Sequence, residues 1–426
     1  MTQVLEARAG RITPEMEAVA RRENIDVETI QAGVASGEIV IPRNIKRKPF
    51  NFCGIGKDLR IKVNTLIGTS SDRDDIEMEA RKLAIAEKAG ADAVMDLSTG
   101  GDIDRMRKQT LERANIAVGS VPIYQCGIQA IDKRGSVVAM TADDMFESIE
   151  KHAAEGIDFM AIHCALNFEV IKRLKTTGRV TDVVSRGGAF LTGWMLHNNK
   201  ENPLYEEFDR LLEILKRYDV TLSLGDAIRP GCTADSLDGA QLMGMIIGGE
   251  LVARCHEAGV QVMVEGPGHV PMNHVRSTML IQKRLCNKAP YFVLGTLATD
   301  VAPGYDHITS AIGAAIAGTA GVDIICNVTP AEHLGLPTEQ DIKDGIIAAR
   351  IAAHAADLAK GNKEALAQDL QMARARVALD LKRQIGLSID PGKFTADASH
   401  CEDGHACAVC GSDCAAHVAA KYFGIA

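Results

Sequence analysis

The chain has 426 residues, 46% hydrophobic and 24% charged, which is enough to bury a large core in an ordinary globular fold. A formal net charge of −9 with no long basic run argues against nucleic acid or an anionic membrane as partner and favours a small molecule. The opening MTQVLEARAGRITPEM lacks a signal-peptide core and no uncharged segment is long enough to span a bilayer, so the expected location is the cytoplasm, where the 11 cysteines stay reduced.

Residues 1–60 read as a leading segment of short helices and turns. Residues 61–337 then alternate, with buried-strand runs at 92–98, 120–124, 158–163, 180–185, 220–225, 260–265, 291–295 and 323–328. Amphipathic stretches such as DDIEMEARKLAIAEKAG and PLYEEFDRLLEILKRYD separate most of them, and eight strand-plus-helix units predict a (β/α)8 TIM-type barrel. The competing fold, an open doubly wound sheet, is weakened because no strand is followed by G-x-G-x-x-G. Residues 338–390 predict a helical hairpin turning at Gly361 and Asn362, and residues 391–426 lose periodicity and form a flexible cysteine-bearing tail.

Reacting groups in such a barrel come from the C-terminal ends of its strands. Those ends carry Asp96 and Ser98, Tyr124, His163, Ser185 with Arg186, Asp226 with Arg229, Glu265 followed by His269, Asp300, and Glu332 with His333. Any one of them reads equally well as a residue tying down a loop; the convergence on one rim points to a site. Arg186 and Arg229 lie in glycine-containing turns that suit a phosphate or carboxylate, the alternative being an Arg–Asp pair bracing two loops. His269 and His333 follow different strands and together suggest an open divalent-metal site, zinc first. Cys407, Cys410 and Cys414 offer three thiolates, which suits a [4Fe–4S] cluster with one iron open to S-adenosylmethionine; a structural zinc knuckle completed by His400, Cys401, His405 or His417 fits the spacing as well.

The motifs SVPIYQ, VVSRGGAF, SLGDAIRPG, VMVEGPGHVP, TDVAPGYDHITSAIGAA, VTPAEHLGLP and IAAHAADLAKG closely resemble those of the thiamin pyrimidine synthases, the phosphomethylpyrimidine synthase family of radical S-adenosylmethionine enzymes, over essentially the whole chain. The resemblance implies a barrel with a C-terminal helical hairpin, and a homodimer in which the cluster tail of one subunit reaches the other's active site. It implies 5-aminoimidazole ribonucleotide as substrate and an electron donor that the sequence does not identify. Substrate contacts would be Met95, Tyr124, His163, Ser185, Arg186, Gly187, Asp226, Ala227, Ile228, Arg229 and Glu265. The divalent metal would fall on His269 and His333 and the cluster on Cys407, Cys410 and Cys414, with Cys326 and Glu265 acting in the chemistry. The reduced cluster would cleave S-adenosylmethionine to a 5′-deoxyadenosyl radical that takes hydrogen from the ribose.

Departures from the family pattern cluster at strand ends. NANIG appears as Asn64-Thr-Leu66-Ile-Gly, GDGLRPG as GDAIRPG with Ala227 and Ile228, APFYxLGP as Ala289-Pro290-Tyr291-Phe292-Val-Leu-Gly-Thr296, and CYVTP as Cys326-Asn327-Val-Thr-Pro. The tail has three residues between its last two cysteines where four are usual. Such changes are expected to alter product rather than fold, and point to the 5-hydroxybenzimidazole synthase branch, which supplies a lower-ligand precursor for anaerobic cobamides. The phosphomethylpyrimidine product is the alternative. A zinc-dependent lyase or hydrolase using only the two histidines, and an inactive ligand-binding barrel with a zinc tail, stay open as other classes.

Overall fold

A computed structural model describes residues 1–378, 380–397 and 415–423. The chain divides into two compact units, Met1–Ala356 and Asp357–Ala426. In the first unit β1 (Ile39–Val40) and β2 (Ile55–Gly56) form a short antiparallel ribbon. The strands β3 (Lys62–Ile67), β4 (Ala93–Asp96), β5 (Ala117–Ser120), β6 (Phe159–Ile162), β7 (Thr221–Leu224), β8 (Val262–Gly266), β9 (Tyr291–Leu294) and β10 (Ile324–Cys326) then pair in parallel and close, β10 against β3. This is the expected (β/α)8 barrel.

The strands are short because both faces are covered. In β4, β5, β6 and β7 every residue is buried, so the inward set fills the barrel while the outward set meets the helices. Helix Phe208–Tyr218 shows the match: Leu211, Leu212 and Leu215 recur at helical spacing and all are buried. Helix Ala142–Glu155 opens on a Thr141–Asp144 capping box and closes on Gly156, whose φ of 111° is open to glycine and strained for other residues.

The N-terminal end of the barrel is built for stability. The Asp92 carboxylate accepts the Val63 N–H at 3.0 Å, Asp158 the Val118 N–H at 2.9 Å, and Asp323 the Tyr291 N–H at 2.8 Å, each clamping the strand before it. The leading segment packs around its own core of Val4, Met16, Val19, Ile30, Val34 and Ile41 and caps this end, with Arg22 and Arg60 on Asp92 and the Asn44 N–H on Asp158. The opposite end is left for chemistry.

Three strand assignments differ from the sequence expectation. Residues 180–185 form no strand: Asp182 has a φ of 44°, and Val180 and Val184 are exposed, so this apolar run is a loop. The eighth strand is instead β3, whose polar residues hide it. Lys62 is fully buried against Glu23 at 3.0 Å, and the Asn64 amide reaches the Cys326 sulfur at 3.4 Å. The run at 120–124 is displaced as well, because the strand is Ala117–Ser120 and Pro122 starts a helix; Tyr124 thus lies not at a strand end but in helix Pro122–Arg134, one turn past β5.

Beyond the barrel, residues 338–390 contain helices Glu339–Ala359, Lys363–Val377 and Leu381–Leu387, and the Gln368 amide donates to the Leu387 carbonyl at 2.8 Å. Cys407, Cys410 and Cys414 lie outside the described residues. No helix among the described residues is long and apolar enough to cross a membrane.

Candidate active site

A cavity of about 310 Å³ opens at the C-terminal end of the strands. Of the residues expected from sequence, Met95, Tyr124, His163, Arg186, Arg229, Glu265 and Cys326 line it. Ser185 and Gly187 stand just behind: the Ser185 hydroxyl is 2.9 Å from His163 Nε2, and a Cβ at Gly187 would sit 2.4 Å from the same imidazole. Glycine at 187 therefore lets the start of helix Arg186–Asn198 close on His163, while Ser185 caps that helix by accepting the Gly188 N–H. Asp226, Ala227 and Ile228 face elsewhere, lining a second pocket of about 30 Å³ that shares Glu265 with the main cavity.

The electrostatics suit an anion held beside neutral hydrogen-bonding groups. Arg186 lies over the Tyr124 ring at 5.1 Å, and Arg229 donates to the Asp226 carbonyl at 3.3 Å. Neither guanidinium has a carboxylate partner among the described residues, so neither is the loop brace that the alternative reading required. That brace is Arg179, which pairs with Asp238 and donates to the carbonyls of Asp182, Ile228 and Arg229.

Burial, helped by the positive charge of Arg229, lowers the His163 pKa to about 3, so its imidazole is neutral. Burial pushes the Glu265 carboxyl up, against the Ser223 hydroxyl that donates to it at 2.8 Å. Burial also pushes the Cys326 thiol up to about 12, leaving it a thiol and not a thiolate.

The two histidines expected to share a metal are brought together, their ring centroids 5.3 Å apart, although neither lines the cavity. His269 Nδ1 is 2.8 Å from Asp300, and His333 Nδ1 is 2.8 Å from Asp306. Each carboxylate fixes its ring so that Nε2 carries the lone pair, which is the outer-shell arrangement of metal-binding imidazoles. Two donors are too few to close a site alone, and no group of three or more His, Cys, Asp or Glu among the described residues is arranged to hold a metal. The donor set suits a metal completed by solvent or substrate oxygen.

Glu332, named at a strand end, lines the cavity; sequence reasoning missed Arg179, which braces both arginine loops, and Asp306, which orients His333. Of the replaced family positions, Leu66 and Phe292 border the main cavity and Ala227 the smaller one. Thr296 and Asn327 are buried and line neither.

Comparison with known proteins gives a consistent assignment. The model of the Radical SAM ThiC family matches residues 2–421. The chain is 72% identical to a 5-hydroxybenzimidazole synthase BzaB of Moorella thermoacetica over 425 residues, covering 100% of both chains. It is 58% identical to a second protein of that name from Eubacterium limosum, again covering 100% of both. A phosphomethylpyrimidine synthase of Moorella thermoacetica is 57% identical, covering 100% of this chain and 99% of the relative. With barrel, cavity and family motifs matched along almost its full length, the chain belongs to the radical SAM ThiC family.

Proposed function

We propose that the chain is a lyase that converts 5-aminoimidazole ribonucleotide to 5-hydroxybenzimidazole by radical S-adenosylmethionine chemistry. The observation that carries this reading is the pair of Moorella thermoacetica relatives: 72% identity to the benzimidazole synthase against 57% to the pyrimidine synthase. Leu66 and Phe292 support it, since both differ from the pyrimidine synthase pattern and both border the cavity.

Arg186 and Arg229 would hold the ribonucleotide phosphate, each with its guanidinium free of a carboxylate. Neutral His163 and the Glu265 carboxyl would orient the ribose and imidazole by hydrogen bonds, and Glu265, raised by burial, suits proton transfer. His269 and His333 would hold a divalent metal, zinc by donor chemistry. Cys407, Cys410 and Cys414 would hold a [4Fe–4S] cluster, which with S-adenosylmethionine supplies one-electron chemistry and hydrogen abstraction. A homodimer accords with Val301, Tyr305 and Leu334, which are exposed and adjoin Asp300, Asp306 and His333 in the chain. The reading places the enzyme in the cytoplasm with an external electron donor.

Anaerobically reconstituted protein, given a reductant and S-adenosylmethionine, tests the reading. Formation of 5′-deoxyadenosine and formate that depends on 5-aminoimidazole ribonucleotide is the expected result. Their absence from protein with a full iron and sulfide complement would refute it.

A further inference from the structure

Behind the substrate cavity, the C-terminal parts of β7 and β8, the first residue of β9, and helices Gly239–Ala258 and Met272–Leu285 enclose the small pocket of about 30 Å³. Gln282 reaches it from helix Met272–Leu285 and Tyr291 from β9, at 1% and 0% exposure. Among the described residues the Tyr291 hydroxyl has no hydrogen-bond partner, and the only group beside the Gln282 amide is the weakly bonding Cys286 thiol. Asp226 also borders the pocket, and its carboxyl accepts from the Ile228 N–H at a long 3.3 Å. Orphaned polar groups around an enclosed space are the condition under which buried water is retained, and this volume suits about two water molecules.

We propose that this pocket is a hydration site, in which ordered water bridges Tyr291 and Gln282 to the Asp226 carboxyl, and that these two residues are positioning residues that set its charge. Glu265 forms the common wall with the substrate cavity, so the water lies one residue from the substrate. Strand alternation explains how a hydroxyl came to be there. Tyr291 pairs in register with Val264 and faces the pocket, whereas Phe292 pairs with Glu265 and faces the cavity. The Tyr-Phe order, reversed from the Phe-Tyr of the pyrimidine synthase pattern, moves the hydroxyl from the substrate side to the rear pocket.

The charged groups facing Asp226 are Arg229 and Arg179, which favour its ionised form, and Asp238 and Glu265, which oppose it. Burial wins and raises its pKa to about 6. Hydrogen bonds donated by fixed water pull the other way, so removing the side chains that hold the water raises the midpoint further.

The full chain serves for the test, and no turnover is needed, so loss of the proposed reaction leaves the outcome readable. A crystal structure that orders interior waters shows whether the pocket is wet. Infrared difference spectra across a pH series follow the Asp226 carboxyl band, assigned with Asp226→Asn. Tyr291→Phe, which keeps the ring against Gly266, and Gln282→Leu are each expected to raise the midpoint by roughly half a pH unit or more. A dry pocket, a cation in place of water, or an unmoved midpoint in both folded variants overturns the proposal.

Discussion

Arg179 and Asp238 form a two-pronged ion pair, Nη2 to Oδ1 at 2.9 Å, with the guanidinium fully buried. Its remaining N–H groups hold the carbonyls of Asp182, Ile228 and Arg229, so one side chain joins the segment before Arg186 to the loop that carries Arg229. Lysine cannot make that fork. Arg179→Lys is predicted to raise KM for the ribonucleotide by about 10-fold or more, because Arg186 and Arg229, proposed to hold the phosphate, lose their relative position. Steady-state kinetics beside thermal unfolding check it, and an unchanged KM in folded protein would return Arg179 to a purely structural role.

The same loop reaches the histidine pair. Thr233 donates its N–H and hydroxyl to Asp300 Oδ2 at 2.8 Å, and Asp300 Oδ1 faces His269. His269→Ala and His333→Ala are each predicted to lower bound divalent metal, and Asp300→Ala to weaken metal affinity roughly 10-fold without removing a ligand. Elemental analysis and metal titration read both effects; unchanged content in both histidine variants would mean these residues only tie loops.

Asp219 gives a pH-dependent stability. Burial raises its pKa from 3.8 to about 8, while its carboxylate accepts the Gln3 N–H at 3.0 Å. Between those values the folded state binds more protons than the unfolded one. The group's stabilisation is therefore complete below pH 3.8 and lost as pH rises through about 8. Asp219→Asn, which keeps the acceptor and tolerates the positive φ, is predicted to exceed the wild type in Tm by more at pH 9 than at pH 5, by roughly 2 °C or more. A gap that narrows with pH would contradict the assignment.

Changing Cys407, Cys410 or Cys414 to Ala is predicted to abolish cluster assembly while leaving the far-ultraviolet circular dichroism of the barrel intact. Iron and sulfide content at the wild-type level in any one variant would remove that cysteine from the ligand set.

The barrel was legible because its short apolar strands alternate with amphipathic helices, a pattern set by burial on both faces. It failed where burial is achieved by pairing. Lys62 sits inside β3 because Glu23, distant in sequence, neutralises it, and no periodicity reveals that. The run at 180–185 erred the other way, being apolar yet held as a loop by Arg179 and by Asp235, which accepts the N–H groups of Val180 and Thr181. Most residues that line the cavity were legible as chemistry at strand ends and as family motifs, and so was the His269–His333 proximity. Which of the named residues line the main cavity was not, since Asp226, Ala227 and Ile228 share a loop with Arg229, and Asn327 follows Cys326, yet Asp226, Ala227, Ile228 and Asn327 do not line it.

Product identity tests the central claim most directly, because the two readings share substrate, cluster and barrel and differ in how the ribose carbons rearrange. That partition answers to barrier differences of ~1.4 kcal/mol per tenfold change, within reach of the altered contacts at Leu66 and Phe292. Anaerobic incubation of the reconstituted chain with 5-aminoimidazole ribonucleotide, S-adenosylmethionine and a reductant, followed by mass analysis, is predicted to yield phosphate-free 5-hydroxybenzimidazole. Hydroxymethylpyrimidine phosphate as the main product would contradict the account.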